Sequence, residues 1–161
     1  MTPTKKTTTR KTRVKLPPNP FAHEVLELVS KQRTKAKKIE ILEEYESDAL
    51  KSILIWNFDQ TVVSVVPEGE VPYKKNEVPI GTDHTSLRRE WKNLYHFVKG
   101  GNDRISAIRR ETMFIQMLEG LHPEEAKIVC LVKDKDLESR YKITYDMVQQ
   151  AYPDIKWGGR S

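Results

Sequence analysis

The chain has 161 residues, 37% hydrophobic and 32% charged, with a mean hydropathy of −0.65. That composition suits one core under a well-solvated surface, and no apolar run approaches the roughly 20 residues of a membrane helix, so no membrane partner is expected. A single cysteine, Cys130, excludes an internal disulfide and fits a reducing compartment.

The formal net charge of +5 is unevenly placed. Lys5, Lys6, Arg10, Lys11, Arg13 and Lys15 all fall within the first 20 residues, which contain no acid, while the remainder is close to neutral. The sequence pI of about 9.2 therefore describes a tail and not a basic globule. Residues 1–18 are Thr, Lys, Arg and Pro with little that is apolar. Such a segment cannot bury enough surface to offset its ordering entropy, so a disordered basic arm is expected over 1–18. It either lies along phosphate or an acidic protein surface, or serves as a solubilising tail. No apolar segment follows its charges, so it is not a secretory signal.

A helical body is expected over 19–157. Asn19-Pro20 reads as an N-cap and first helical position. Phe21, Val25, Leu28 and Val29 form one face of a helix running to about Lys31. Lys31, Arg33, Lys35, Lys37 and Lys38 make a basic turn. Thr34 caps a second helix to about Tyr45, with Ile39 and Leu42 inward. Ser47 or Asp48 caps a third, with Leu50, Ile53, Leu54, Phe58 and Trp56 in the core. Residues 59–83 break the pattern. Thr61–Val66 is β-prone without a second strand, and Val-Pro then recurs three times. Each proline removes a donor and biases its predecessor toward extended backbone. A long surface excursion follows, with Tyr73, Lys74 and Lys75 open to a partner unless it is a tolerated insertion.

Thr85 or Ser86 opens a fourth helix, with Leu87, Trp91, Leu94, Tyr95 and Val98 as its stripe, and Gly100-Gly101 ends it. Asn102 or Asp103 caps a fifth, with Ile105, Ile108, Thr112, Ile115 and Leu118 inward, stopped at Gly120. Pro123 opens a sixth containing Ala126, Val129, Cys130 and Val132. Thr144 caps a seventh with Met147, Val148 and Ala151, closed by Pro153. The tail 158–161 is expected to fray, although Trp157 can pack back. The fold class is thus all-α: a compact bundle of about seven short helices, a disordered basic N-terminal arm and one long Pro-containing loop.

The chain offers little chemistry. His23, His84, His96 and His122 are scattered, and none pairs at ligand spacing near a second cluster, so no metal and no cofactor are expected. Cys130 falls on a buried face, where an apolar setting silences a thiol. Glu43-Glu44, Glu124-Glu125 and the Asp134/Asp136 pair sit among lysines and read as solvated. No nucleophile elbow, Walker loop or dinucleotide glycine pattern occurs. No catalytic residue is assigned, and the chain is expected not to be an enzyme.

Basic corners at helix starts remain: Lys35, Lys37 and Lys38 after Thr34, Arg140 and Lys142 before Thr144, Arg88 and Arg89, and Lys99, Arg104, Arg109 and Arg110 around Gly100-Gly101. Cations in a first turn oppose the helix dipole, so local stability is a poor reason for them. With an anion bound, exposed amides and lysines would act together. The alternative is ordinary solvated charge.

Residues 23–58 also resemble the start of the N-terminal DNA-binding domain of phage-type ATP-dependent DNA ligases. The matching pieces are Leu26–Val29, Thr34-Lys35-Ala36-Lys37-Lys38, Ile41-Leu42-Glu43 and Leu50-Lys51. Arg109–Leu118, Glu124–Val132, Lys133–Leu137 and Tyr141–Asp154, with its Tyr152-Pro153 pair, are similar to that domain's later helices. The resemblance implies a helical domain gripping duplex DNA through phosphates and the minor groove. Its contact candidates here are Thr34, Lys35, Lys37, Lys38, Arg140, Lys142 and Thr144. The ligase adenylation domain, with its Lys-x-Asp-Gly motif, has no counterpart, so the resemblance implies a stand-alone binding domain. The whole chain also resembles a family of small proteins of tailed phages infecting cyanobacteria. That implies a viral origin and a place in the host cytoplasm during infection, or in the virion. The reading is a DNA-binding accessory protein whose partner is double-stranded DNA, intact or nicked. A virion or assembly protein that clamps subunits with its arm and Val-Pro loop is the alternative. An adaptor to replication or transcription machinery is another.

Overall fold

A computed structural model of the protein describes residues 15–76 and 84–160. Among them are eight α-helices and one 3-10 helix. The helices are α1 (Ala22–Ser30), α2 (Lys35–Glu44), α3 (Asp48–Phe58), α4 (Leu87–Glu90), α5 (Ala107–Gly120), α6 (Pro123–Lys133), α7 (Glu138–Tyr141) and α8 (Tyr145–Ala151). The 3-10 helix spans Trp91–Phe97. The fold is all-α, as expected.

Capping chemistry sets most boundaries. The hydroxyls of Thr34, Ser47 and Thr144 accept from the amides of Lys37, Leu50 and Met147. Helix α1 starts later than the Asn19-Pro20 pair suggested. Its cap is Phe21, whose amide donates to Glu24 Oε1 at 2.8 Å, half of a capping box.

Helix α6 is the hub, packed against α1, α3 and α5. Ala126, Ile128, Val129 and Val132 are fully buried there, facing Leu26, Val29, Ile53, Leu54 and Leu118. Helix α8 packs on α2 and closes the bundle with Tyr152, whose hydroxyl donates to Leu42 O at 2.5 Å.

Two stripes differ from the sequence reading. The fourth segment is α-helical only to Glu90 and then tightens to 3-10. With three residues per turn, Trp91, Leu94 and Phe97 stack on one side. Phe97 is therefore buried and Tyr95 is 47% exposed. The fifth helix is capped by Ser106, not by Asn102 or Asp103. Asn102 and Asp103 instead close the preceding turn, accepting from Arg104 N and Gly100 N. The later start rotates the buried face to Phe114, Met117 and Leu118. Ile108 is left 78% exposed, and Thr112 is exposed. Gly101 is required at its turn, because a Cβ there would lie 1.9 Å from Tyr95 O. A short helix, α7, occupies what read as a connection.

The excursion is attached to its own body as far as it is described. Val65 N donates to Phe97 O, and Lys99 N to Val63 O, around an antiparallel bridge between Ser64 and Val98. The β-prone run thus pairs with the chain leaving the 3-10 helix. Beyond it, Lys133 Nζ donates to Gly69 O and Lys74 N to Glu119 Oε2. Val71 and Tyr73 pack on the core. Residues 77–83, the rest of the expected excursion, lie outside the described residues. The core tryptophan is as expected: Trp56 is buried and its Nε1 donates to Ser64 Oγ at 2.8 Å.

The ends also differ from expectation. Lys5, Lys6, Arg10, Lys11 and Arg13 lie outside the described residues; Lys15 is exposed. Leu16, placed in the arm, packs on the core, and its amide donates to the Tyr45 hydroxyl. The tail expected to fray is tied down through Arg160: Gly158 N and Arg160 Nη1 both donate to Asp59 Oδ2, and Arg160 N donates to Thr61 Oγ1. Ser161 lies outside the described residues.

Candidate nucleic-acid interface

The packing of α8 on α2 brings the two Thr-capped helix starts side by side. Lys35 Nζ forms an ion pair with Asp146 Oδ2 across the seam. Lys38 Nζ donates to Lys142 O at 3.2 Å. Lys142 ends α7 in the left-handed conformation, φ 54°, which turns the chain into the cap of α8. Thr34, Lys35, Lys37, Lys142 and Thr144 are exposed, and Lys38 is partly so. Residues separated by more than 100 positions thus form one cationic corner. Both threonine hydroxyls are occupied as caps, so their contribution to it is to orient amides.

The cations there are not equivalent. Lys35 has Asp146, whose carboxyl the lysine holds below the usual range. Arg140 is exposed but committed to Glu124 Oε1 at 3.0 Å, with its guanidinium 5.5 Å from the centre of the Tyr141 ring. Among the described residues, Lys37 and Lys142 have no acidic partner. Of the eight α-helices, six carry an acid in the first turn, and α2 and α5 do not. In α2 that turn carries Lys35, Lys37 and Lys38 instead.

The other basic candidates are on different elements and partly occupied. Arg110 is structural, donating to His96 O and Asn102 O at 2.9 Å each. Arg88 Nε donates to Pro20 O. Arg89, Lys99, Arg104 and Arg109 are exposed.

Three histidines that looked scattered come together. His23 and His122 stack at 4.5 Å, and His84 lies 5.3 Å from His122. Burial, and then the charge of the neighbouring histidine, lowers the pKa of both His23 and His122. Stacked rings aim their nitrogens apart, and no group of three or more His, Cys, Asp or Glu among the described residues could hold a metal. His122 Nδ1 instead accepts from Glu124 N and caps α6.

One acidic residue was misread. Glu125 is fully buried, and its two oxygens accept from Ala22 N at 2.8 Å and Leu87 N at 3.0 Å. It fastens the starts of α1 and α4 to α6. Cys130 is half-buried, and burial pushes its thiol pKa up.

Sequence reasoning also missed a cleft of about 630 Å³ beside the cationic corner, walled by Phe58, Tyr145 and Trp157. Tyr145 and Trp157 meet edge to face at 4.9 Å. The possible packing of Trp157 was the one signal pointing to it.

The class defined by these features is an all-α domain with a lysine-rich corner at two adjoining helix starts. Residues 25–139 match the family model described as a family of unknown function (DUF6433), and the chain belongs to that family. The chain matches no curated protein and no solved structure.

Proposed function

We propose that this protein is a non-enzymatic DNA-binding accessory protein that grips duplex DNA through its phosphate backbone. The observation that carries the reading is the convergence of Lys35, Lys37, Lys38 and Lys142 around two Thr-capped helix starts on exposed surface. Lysines and unpaired first-turn amides together suit an anion. A corner of this kind positions a protein on phosphate and reads no base sequence. The resemblance to the ligase N-terminal domain points the same way. A viral origin, with action in the host cytoplasm, belongs to the same proposal, as does an arm adding nonspecific affinity.

A virion or assembly role would need the Val-Pro excursion free for a neighbouring subunit. Its described part lies on α6 and on Glu119, which favours the DNA reading over that alternative.

The test is a titration of intact and nicked duplex at several salt concentrations. The double variant Lys37→Glu/Lys142→Glu spares the Lys35–Asp146 pair. It should weaken binding to every sequence and reduce the slope of log K against log salt by about 2, near 0.9 per lost phosphate contact. A chain lacking residues 1–14 should bind with a flatter slope still. Undiminished binding by the double variant, with unchanged circular dichroism, would make the corner ordinary surface.

A further inference from the structure

The cleft beside the cationic corner has no role in backbone binding. It opens between the end of α3, the α6–α7 turn and the C-terminal strap, and it shares the first turn of α8 with the phosphate candidates. Thr144 caps that turn, Tyr145 faces the cleft and Asp146 holds Lys35. Phe58 and Tyr145 lie 6.4 Å apart at 38°, and Tyr145 remains 41% exposed. The volume, about 630 Å³, lies within the roughly 300–1,000 Å³ of small-ligand clefts.

The polar groups decide what such a cleft prefers. Its carboxylates are already engaged: Asp59 by Thr61, Gly158 and Arg160, and Glu138 by Asn57 Nδ2 at 3.2 Å. Lys135 Nζ is turned into the floor, donating to the carbonyls of Trp56 and Asp59. The two negative charges of the cleft are balanced by Arg160, paired to Asp59, and by Lys135 in the floor, so no net negative charge draws in a cation, which argues against a cationic guest despite the aromatic walls. Gln60, exposed at the rim, offers both donors and an acceptor. Aromatic faces with an amide edge suit a neutral, flat, hydrogen-bonding heterocycle. The lysines next door suit the phosphates attached to one.

We propose that this cleft takes one unpaired nucleobase of a DNA strand whose backbone crosses the Lys35–Lys142 corner. The inference rests on the backbone-binding reading and deepens it. The preferred ligand is then not a uniform duplex but DNA with a base displaced from its stack, as at a bulge, gap or frayed nick. Base-on-aromatic stacking tolerates any base, so the preference is for structure over sequence.

Binding of the full chain is measured to three otherwise identical duplexes: fully paired, with a single bulged adenine, and with an abasic linker in place of that adenine. The bulge should bind about tenfold more tightly than the abasic duplex, a ratio in keeping with stacking of one base. In Tyr145→Ala and in Gln60→Ala the ratio should fall, toward unity in the former. Gln60 is exposed, so its replacement leaves packing intact. A bulged 2-aminopurine should lose fluorescence on binding the wild-type chain and keep it with Tyr145→Ala. Salt-dependent binding to all three duplexes with equal affinity for bulge and abasic site would overturn the cleft and leave the backbone reading standing. Absence of binding to any of them would overturn both.

Discussion

Replacing Glu125 tests whether the bundle is pinned by a single buried carboxylate. Its oxygens meet Ala22 N at 2.8 Å and Leu87 N at 3.0 Å, so one side chain satisfies the opening amides of two helices nearly 65 residues apart. In Glu125→Ala both amides lose their acceptor inside the protein. An orphaned buried group costs about 1–3 kcal/mol, so the pair together with the lost packing should cost about 3–5 kcal/mol. That is a large part of the roughly 5–15 kcal/mol that holds a domain folded. Glu125→Gln keeps one acceptor oxygen and should cost less. The assay is urea unfolding of the full chain followed by circular dichroism. Its pH dependence is diagnostic as well. Burial raises the Glu125 pKa above the ordinary value, against the pull of the Ala22 and Leu87 amides. Between the ordinary and the raised value the folded state binds more protons than the unfolded, so this group's stabilisation falls as pH rises. The difference between wild type and Glu125→Gln should therefore be greatest near pH 4 and shrink toward pH 7. A loss below about 1 kcal/mol in Glu125→Ala would refute the reasoning about the orphaned amides.

Two further predictions concern pH. Burial alone would raise the Asp59 pKa, but hydrogen bonds from Thr61, Gly158 and Arg160 outweigh it and hold the group at about 2. Its stabilisation is present above the ordinary aspartate range and is lost as pH falls toward 2. Asp59→Asn should cost on the order of 2 kcal/mol at pH 7 and close to nothing at pH 2, measured by urea titration at both. The histidine stack has a different window. With the pKa values of His23 and His122 lowered in the folded state, chiefly by burial, the unfolded chain takes up protons first. Stability should fall as pH drops through about 6.5. His23→Phe should blunt that fall in thermal melts between pH 7.5 and 5.5, and an unchanged pH profile would mean the stack does not titrate as a unit.

The sequence announced its helices where side chains cap their own backbone. Thr34, Ser47 and Thr144 act within three residues of themselves, so their meaning is local. Stripes were less legible, because a shift of cap or pitch rotates the whole face. Moving the cap from Asn102 to Ser106 exchanged Ile108 for Phe114 and Met117, and a 3-10 pitch exchanged Tyr95 for Phe97. The least legible features were those assembled across the chain. Glu124 and Glu125 are neighbours in sequence, yet one faces Arg140 and Lys127 while the other is sealed between three helices. Nothing in a Glu-Glu pair announces that. His23, His84 and His122 meet only because α1 and α6 pack, and Phe58, Tyr145 and Trp157 only because the last residues fold back onto Asp59.

The cationic corner is the one place where sequence and geometry raise the same question from opposite directions. Helix α2 begins with three lysines where the dipole favours acids, and the neighbouring helix supplies one acid, Asp146, to one of them. Unlike Lys35, neither Lys37 nor Lys142 forms an ion pair with an acid among the described residues. Lys38 Nζ donates to the backbone carbonyl of Lys142 and so ties the two helix starts together without an acid. A corner left short of acids is either a phosphate site or ordinary solvated surface. Exchanging Asp146 for Asn separates the two explanations. It frees Lys35, so a corner built for phosphate should bind duplex more tightly and with a steeper salt dependence, while a corner that is ordinary surface should lose a little stability and gain no affinity.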